Sequence, residues 1–252
     1  MADRSDRRPR IALLIDADNS PASKIDDILN ELSAFGETSI RRAYGNWTKS
    51  ELKGWADVLH DKAIRPIQLY DYSKRKNASD IALVIDAMEL LYTDEPEAFG
   101  IVSSDSDFTP LVMHLREKGA AVYGFGAQKT PAPFVSACSR FLFLDQLGAD
   151  NDDDGDEDEA PQRQLRVSTA KLKQDAALVR LLRNAVKVSA DEDGWALVGT
   201  VGQHISNQSS FDPRNYGYAS LSKLLAATQL FEFKDEGTGS VAVRENRRRR
   251  RS

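Results

Sequence analysis

The stretch IALLIDADNS, residues 11–20, decides the fold of the first part of the chain. Its apolar run IALLID (11–16) indicates a parallel strand that is buried on both faces. The polar turn ADNS (17–20) follows, and Pro21 occupies a place that suits the first turn of a helix. The stretch therefore predicts a buried strand, a short loop and a helix in succession.

The same alternation of apolar strands and amphipathic helices continues along the chain. Further strands are expected near residues 38–44, 64–70, 99–104 and 120–126, and further helices near 49–62, 78–92 and 107–119. This series predicts an α/β fold with a doubly wound, mostly parallel sheet and right-handed crossovers. Ligands of such sheets bind beyond the carboxyl ends of the strands.

Aspartates cluster at these carboxyl ends. Asp16 ends the first strand, Asp105 and Asp107 follow the strand at 99–104, and Asp80 opens the helix before it. In a doubly wound order these two strands flank the switch point, so Asp16 and Asp105 should meet there. Because packed carboxylates repel one another, a divalent cation between them makes such a cluster tolerable. A cation such as Mg²⁺ or Mn²⁺ is therefore expected at this cluster.

Cysteine and histidine are too scarce to build another kind of metal site. The 252 residues include one cysteine, Cys138, and three histidines, which excludes a disulfide framework and a structural zinc site. A hard, oxygen-preferring ion suits the aspartates better. Such an ion can generate hydroxide from bound water and neutralise charge on a phosphodiester, which indicates phosphoryl chemistry.

Composition is that of a globular chain outside a membrane. Hydrophobic residues make up 41% and charged residues 29% of the sequence. No run of 18 apolar residues occurs, and the first ten residues, MADRSDRRPR, lack the apolar stretch of a signal peptide. The expectation is a soluble, cytoplasmic protein without a membrane partner.

Charge is distributed unevenly along the chain. Residues 150–159 alone carry eight carboxylates, and residues 160–252 carry 16 lysines and arginines against nine carboxylates. An acidic run without apolar residues cannot bury surface, which predicts an extended linker and a domain boundary. The predicted order is a disordered N-terminus (1–9), an α/β domain (10–147), a flexible linker (148–170), a second domain (171–244) and an arginine-rich tail (245–252).

The second domain has the pattern of a winged helix-turn-helix. LKQDAALVRLLRNAV (172–186) has apolar residues at helical spacing. Two further helices are expected in GWALVGTVGQHI (194–205) and FDPRNYGYASLSKLLAAT (211–228). FEFKDEGTGSVAV (231–243) predicts a two-stranded wing that turns at DEGTG.

Four segments of the first domain carry motifs in a fixed order. They are IDADN (15–19), KNASDIALVIDAMELLY (76–92), SSDSDFTPLV (103–112) and KTPAPFVSACSRFLFL (129–144). Together they resemble the successive motifs of the NYN family, LabA-like branch, within the PIN-like nuclease superfamily. The resemblance spans nearly all of residues 10–147 and implies a metal-dependent ribonuclease fold.

The resemblance also implies roles for single residues. The four aspartates named above match the acidic positions that hold the metal. Asn19 matches the polar partner of the first motif and joins the aspartates as a candidate catalytic residue. Ser103 and Ser104 are secondary candidates that would orient the third motif.

In the second domain, GW (194–195) and FDPRNYG (211–217) resemble the OST-HTH, or LOTUS, domain. The likeness covers about residues 172–244. It implies RNA binding or docking to a partner protein. Trp195 and Tyr216 are expected to be core anchors of this domain.

Basic side chains in both domains are candidates for contact with RNA. In the first domain, Arg42 lies in a predicted strand beside aromatic residues, and Lys74 and Lys76 precede the acidic helix. In the second domain the candidates are Arg214 and Lys223. A basic loop is usually only solvated, which is the simpler interpretation of each.

Some aspartates have a competing structural interpretation. Asp18 could cap the helix that begins near Pro21, and Asp107 could cap the helix that follows it. Asp86 comes six residues after Asp80 and lies on a different face of the helix. We expect it to be a surface or hydrogen-bonded residue, although the family pattern includes it. Asp18 and Asp86 are therefore secondary candidates.

The predicted function is hydrolysis of RNA by the first domain, to which the second domain brings the substrate. A haloacid-dehalogenase-like phosphatase is an alternative, because DADNS (16–20) approximates an Asp-x-Asp-x-Thr motif with Asp16 as nucleophile. A further alternative is a non-catalytic RNA-binding adaptor whose acidic pocket only holds a cation.

Overall fold

A computed structural model describes residues 7–70, 78–147, 166–234 and 241–246. The chain divides into two compact units, Met1–Gly148 and Ala149–Ser252. Several predicted features lie outside the described residues: Lys74, Lys76, the acidic run 150–159, the turn of the wing and the arginines 247–251. In the part of the chain that is described, no helix is long and apolar enough to cross a bilayer.

The described part of the first unit is built on a six-stranded sheet. Its strands are β1 (Arg10–Asp16), β2 (Glu37–Gly45), β3 (Arg65–Gln68), β4 (Ala98–Val102), β5 (Ala121–Gly126) and β6 (Arg140–Phe143). Their order is β3-β2-β1-β4-β5-β6, and each neighbouring pair is parallel. The order reverses between β1 and β4, which confirms the predicted doubly wound sheet.

Helices connect these strands. They are α1 (Ile25–Ser33), α2 (Ala56–Asp61), α3 (Ala78–Thr93), α4 (Thr109–Glu117) and α5 (Ala132–Ala137). The helix predicted over 49–62 is wrong in its first half, where Ser50–Trp55 forms 3₁₀ turns. Gly54 lies in that half, and glycine weakens an α-helix. The helix predicted from residue 107 likewise begins with a 3₁₀ turn, Ser106–Phe108. Strand β6 and helix α5 were not predicted as elements.

The core covers both faces of the sheet, and β1 runs through the centre of the sheet. Ile11–Ile15 are fully buried, at 0% exposure. Leu14 packs in the cluster that contains Leu83 of α3, whereas Leu13 packs in the cluster that contains Ile28 of α1. Burial of one such side chain contributes about 1.5–3 kcal/mol. The central strand therefore fixes the position of the acidic residue at its end.

The second unit combines four helices with a small antiparallel sheet among the described residues. The elements are α6 (Thr169–Gln174), α7 (Ala176–Ser189), β7 (Ala196–Leu197), α8 (Val198–Gln208), α9 (Leu221–Thr228), β8 (Phe231–Lys234) and β9 (Ala242–Glu245). The strand order is β7-β9-β8. The predicted winged helix-turn-helix is present, and its wing gains a third strand, β7.

Two details of the second unit differ from the sequence expectation. The single helix predicted over 172–186 is broken at Asp175, whose backbone is extended and whose carboxylate accepts a hydrogen bond from the N–H of Leu178 at 2.9 Å. Trp195 is only partly buried and lies outside the core cluster, with the guanidinium of Arg244 stacked on it at 4.4 Å. Tyr216 does pack against that core, as predicted.

Candidate active site

The acidic site forms where β1 and β4 end side by side. Ile15 pairs with Val102 in the parallel register, so the residues that follow these positions leave the sheet at the same edge. Asp16 is only 1% exposed there, and Ser103 is equally buried. The predicted meeting of the two strand ends is therefore present, with the loop of Asp105 beside Asp16.

The carboxylate of Asp16 is held in one orientation by two neighbours. The Nδ2 group of Asn19 donates to both of its oxygens, at 3.0 and 3.3 Å, and the Oγ–H of Ser103 donates to Oδ2 at 3.0 Å. These bonds favour the charged carboxylate, but burial outweighs them and raises the pKa of Asp16 above its usual 3.8. The charges of Asp18 and Asp105 raise this pKa further.

The loop after β4 is ordered by the same serine. Ser103 Oγ accepts a hydrogen bond from the N–H of Asp105 at 3.1 Å, so this hydroxyl joins Asp16 to the next acidic residue. Ser104 Oγ accepts from the N–H of Ala127 at 2.8 Å. At Gly126, a Cβ would lie 2.6 Å from the carbonyl oxygen of Ser103, so glycine lets β5 approach the loop.

The capping interpretations of Asp18 and Asp107 are both wrong. The residue that caps the 3₁₀ turn after β4 is Asp105, whose Oδ1 accepts from the N–H of Asp107 at 2.8 Å. Pro21 and Phe108 are the N-cap residues of the two helical segments, and neither segment has a side-chain hydrogen bond from its N-cap residue. Neither Asp18 nor Asp107 therefore has a helix-capping role.

Asp18 lies beside a lysine that sequence reasoning did not single out. Lys49 Nζ is 3.4 Å from Asp18 Oδ1. Lys49 follows β2, which is the other neighbour of β1, so its loop emerges at the same edge of the sheet. The sequence shows that Lys49 follows a predicted strand. Its closeness to Asp18 could not be inferred without the register of β2.

Asp80 provides the evidence that the distant aspartates share one electrostatic environment. It lies in the first turn of α3, and its pKa is raised to about 6. Burial is the largest cause, followed by the negative charges of Asp16, Asp105, Asp107 and Asp18. Carboxylates that are separated by up to 91 positions in the sequence thus act on one group.

The donor atoms of this site suit a hard divalent cation, although their present arrangement is not that of a metal centre. Within the described ranges, no three His, Cys, Asp or Glu side chains are grouped so that they could hold a metal ion. The site offers carboxylate, amide and hydroxyl oxygens, which Mg²⁺ and Mn²⁺ prefer. The mutual repulsion felt by Asp80 is the kind that a cation relieves.

Asp86 is separate from this cluster, as its position on the helix predicted. Its two oxygens accept hydrogen bonds from Arg42 and from the hydroxyl of Tyr44. Burial and the hydrogen bond to Asp86 raise the pKa of Tyr44. Arg42, a candidate RNA contact, is therefore bound to a carboxylate of its own domain. Because Arg42 and Tyr44 are two residues apart on β2, strand alternation could have placed them on one face.

The candidate RNA contacts of the second unit have local roles. Arg214 donates from Nε and Nη2 to the two oxygens of Asp212, each at 3.0 Å, and Asp212 is 1% exposed. This pair satisfies a buried carboxylate. Lys223 is exposed in the first turn of α9, and its backbone N–H donates to the capping Oγ of Ser220 at 3.3 Å.

The sheet order, with acidic residues at its switch point, is that of a PIN-like α/β domain. The chain belongs to the NYN domain family, whose model matches residues 10–145. The model of the OST-HTH/LOTUS domain matches residues 171–243. The family and the order of the two domains predicted from the sequence are thus confirmed. The NYN domain indicates a nuclease-type protein, and the OST-HTH domain indicates RNA binding.

Similar proteins add little about activity. An uncharacterized protein of Methanocaldococcus jannaschii is 30% identical over 125 residues, which are 47% of this chain and 48% of that protein. The chain thus matches about half the length of this relative. A crystal structure of a protein of unknown function from Vibrio parahaemolyticus is similar at 18% identity and a TM-score of 0.45, over 56% of this chain and 96% of the other.

Proposed function

We propose that the chain is an endoribonuclease that hydrolyses RNA phosphodiesters with Mg²⁺ or Mn²⁺. The observation that carries the proposal is the junction at the switch point, where the hydroxyl of Ser103 joins the buried carboxylate of Asp16 to the loop of Asp105. Burial and the nearby carboxylates raise the pKa of Asp80 beside it. An electrostatically unfavourable cluster at the ligand-binding edge of a doubly wound sheet is the mark of a functional site. Membership of the NYN family supports nuclease chemistry.

Each residue of the cluster would have a distinct task. Asp16, Asp80, Asp105 and Asp107 would hold the cation. Asn19 and Ser103 keep the carboxylate of Asp16 facing the site, so little reorganisation is needed there. When bound, the metal ion would supply an activated water and neutralise charge on the phosphodiester.

The second domain would act by holding RNA near this site. Its OST-HTH match supports RNA binding, and the arginines 247–251 follow it in the sequence. A tethered RNA-binding module raises the local concentration of substrate without new contacts at the reacting phosphate. A protein partner for this domain is the competing proposal, since its helix α9 (LSKLLAAT) carries a single charged side chain.

The test is cleavage of labelled RNA with Mn²⁺, with and without a chelator. We expect fragments that need the metal and that disappear in Asp105→Asn. Asparagine keeps the oxygen that accepts from the N–H of Asp107, so this variant removes charge and keeps the turn. Asp57→Asn is the matched control, because Asp57 is an exposed aspartate of α2.

A non-catalytic RNA-binding adaptor is the second candidate. It is favoured by the spacing of the acidic side chains, since no three of them in the described residues are grouped as a metal centre. RNA binding without fragments under both conditions would support it against the nuclease. Hydrolysis of an aryl phosphate without cleavage of RNA would instead support a phosphatase.

A further inference from the structure

A cavity of about 440 Å³ lies along one flank of α3, and the proposed nuclease function gives it no role. Its walls come from α3 and from β2 and β3, where β3 is the edge of the sheet among the described strands. The residues that matter here are Arg42, Arg65, Ile67, Ala82, Ile85 and Glu89. We call it the α3–β3 cavity.

The α3–β3 cavity and Asp80 lie on different faces of α3, because at about 100° per residue the lining residues Ala82 to Glu89 point away from Asp80. Ala82 lies one half-turn after Asp80 on α3, and Tyr44, which also lines the cavity, pairs with Asp16 in the register of β1 and β2. With a rise of 1.5 Å per residue, the stretch from Ala82 to Glu89 covers about 3 to 14 Å from Asp80 along the helix axis. A strand whose phosphate lies at the aspartates would therefore reach this cavity by passing round the first turn of α3.

The charged side chains that line the cavity are two arginines, Arg42 and Arg65, and two carboxylates, Asp86 and Glu89. Both oxygens of Asp86 are occupied by Arg42 and Tyr44, so this carboxylate is neutralised from within the domain. The side chain of Arg42 keeps about one fifth of its surface exposed, 21%, and Arg65 is an exposed residue of the edge strand. A guanidinium in such a place suits the phosphate of a polynucleotide.

The remaining described wall of the cavity is apolar. Ile85 lies in this wall and is 62% exposed. Ile67 of β3 lies on the opposite wall and is only partly buried. An apolar wall beside arginines is the combination that accepts a flat base together with its phosphate.

We infer that the α3–β3 cavity is a subsite for one nucleotide of the substrate strand, with the phosphate on Arg65 and the base against Ile85. Its volume lies within the range of about 300–1,000 Å³ of small-ligand sites. The inference rests on the proposed function, because it assumes an RNA strand at the aspartates. It assigns the positioning of that strand to the sheet edge formed by β3.

The experiment measures binding of a fluorescent six-nucleotide single-stranded RNA to the full chain with Mg²⁺. All variants carry Asp105→Asn, so that the RNA stays intact. Arg65→Ala should raise the Kd about fivefold and lower the slope of log K against log salt by about 0.7, as expected for one lost contact to a single strand. Lys118→Ala removes the same charge from an exposed residue after α4 and should change the Kd less than about twofold.

A second pair of variants tests the apolar wall. Ile85→Ala should raise the Kd about threefold without a change in the salt slope, because it removes no charge. Met113→Ala on α4 is the matched control, since Met113 is also 62% exposed. Circular dichroism and the Tm of each variant show whether the fold is intact.

The outcomes separate this subsite from the proposed function. If Arg65→Ala and Ile85→Ala behave like their controls, or if the hexamer does not bind, the subsite is overturned. If both variants weaken binding while the chain without Asp105→Asn leaves RNA uncut, the subsite stands and the nuclease proposal fails. Cleavage of RNA together with unaffected Kd values would keep the nuclease proposal and reject the subsite.

Discussion

At the scale of single residues, Ser103 makes two hydrogen bonds that join separate parts of the acidic site. One hydroxyl donates to Asp16 and accepts from the backbone of Asp105, so it couples the ends of β1 and β4. Ser103 is 1% exposed, which means that water cannot replace it. Loss of a buried hydrogen-bonding group of this kind costs about 1–3 kcal/mol.

We predict that Ser103→Ala lowers both stability and activity. The free energy of unfolding should fall by about 1–3 kcal/mol, because the carboxylate of Asp16 and the N–H of Asp105 each lose a partner. Metal-dependent cleavage should fall by about 10- to 100-fold, as for other residues that orient metal ligands. Urea unfolding and initial cleavage rates measure the two effects. Ser33→Ala, at an exposed serine of α1, should change neither, and equal effects in both variants would refute the role of Ser103.

The raised pKa of Asp80 makes the free energy of unfolding fall as the pH rises. The folded chain holds its proton up to about pH 6, whereas the unfolded chain releases it near 3.8. Charging Asp80 therefore costs folding free energy that grows between these two pH values and persists above them. In the absence of metal, removal of this charge should stabilise the protein at neutral pH.

We accordingly predict that Asp80→Asn raises the Tm of the metal-free protein by about 3 °C at pH 8 and hardly changes it at pH 4. Thermal unfolding in a chelator at both pH values provides the measurement. Added Mn²⁺ should stabilise the unsubstituted chain more than the variant. An equal shift at both pH values would show that like-charge repulsion is not the cause, and Asp57→Asn controls for loss of a general surface charge.

The sequence predicted the principal acidic residues better than their contacts. Asp16 and Asp105 could be placed together because apolar runs define adjacent parallel strands, and strand ends meet at one edge. Lys49 and the group formed by Arg42 and Asp86 could not, since they depend on the register of β2 and the rotation of α3. Those quantities are set by packing between distant segments.

At the scale of elements, α3 has two different functions along its length. Its first turn brings Asp80 to the acidic site, and one and a half turns later Asp86 binds Arg42 and Tyr44 of β2. We expect the second contact to fix the rotation of α3 on the sheet. The position of Asp80 would then depend on Asp86, although the two side chains lie on different faces.

We predict that Asp86→Ala lowers the free energy of unfolding by about 2 kcal/mol, because a partly buried guanidinium and a buried phenol each lose their acceptor. Equilibrium unfolding in urea measures the change. Glu89→Ala on the same helix is the control, as Glu89 is exposed, and it should remain within about 0.5 kcal/mol of the unsubstituted chain. Similar values for both variants would mean that the contact between α3 and β2 adds no stability.

The boundaries of an element were predicted where one local sequence signal dominates. They were missed where two sequence signals, such as helical periodicity and a capping residue, compete. Strands β1, β4 and β5 consist mainly of apolar residues, so their positions were close to those observed, whereas β6 was missed. The residues around Asp175 fit one continuous helical pattern, yet the capping bond to Leu178 starts a new helix there. Local periodicity does not reveal such a break, because an aspartate is also acceptable on the surface of a continuous helix.

At the scale of the whole molecule, charged residues are distributed unevenly along the chain. Residues 160–252 contain 16 basic and nine acidic side chains, while residues 150–159 contain eight carboxylates. The OST-HTH match lies within residues 160–252, and their excess of basic side chains includes the arginines 247–251. We therefore assign most of the salt-dependent attraction for RNA to this segment.

Deletion of residues 160–252 should weaken the binding of long RNA and flatten its dependence on salt concentration, because fewer counterions are released from the phosphates. Binding curves at several salt concentrations measure both quantities. The deletion should leave the metal requirement of cleavage unchanged. Unaltered affinity would instead indicate that the second domain serves a protein partner.

The central claim is that four aspartates hold one cation, and anomalous diffraction from crystals soaked in Mn²⁺ tests it most directly. Calorimetry alone would also count ions at the acidic run 150–159, whereas anomalous scattering locates each ion. The account predicts a Mn²⁺ peak within ligand distance of Asp16 and of Asp80, Asp105 or Asp107, and no such peak in Asp105→Asn. Saturating Mn²⁺ with no peak at these carboxylates would contradict it.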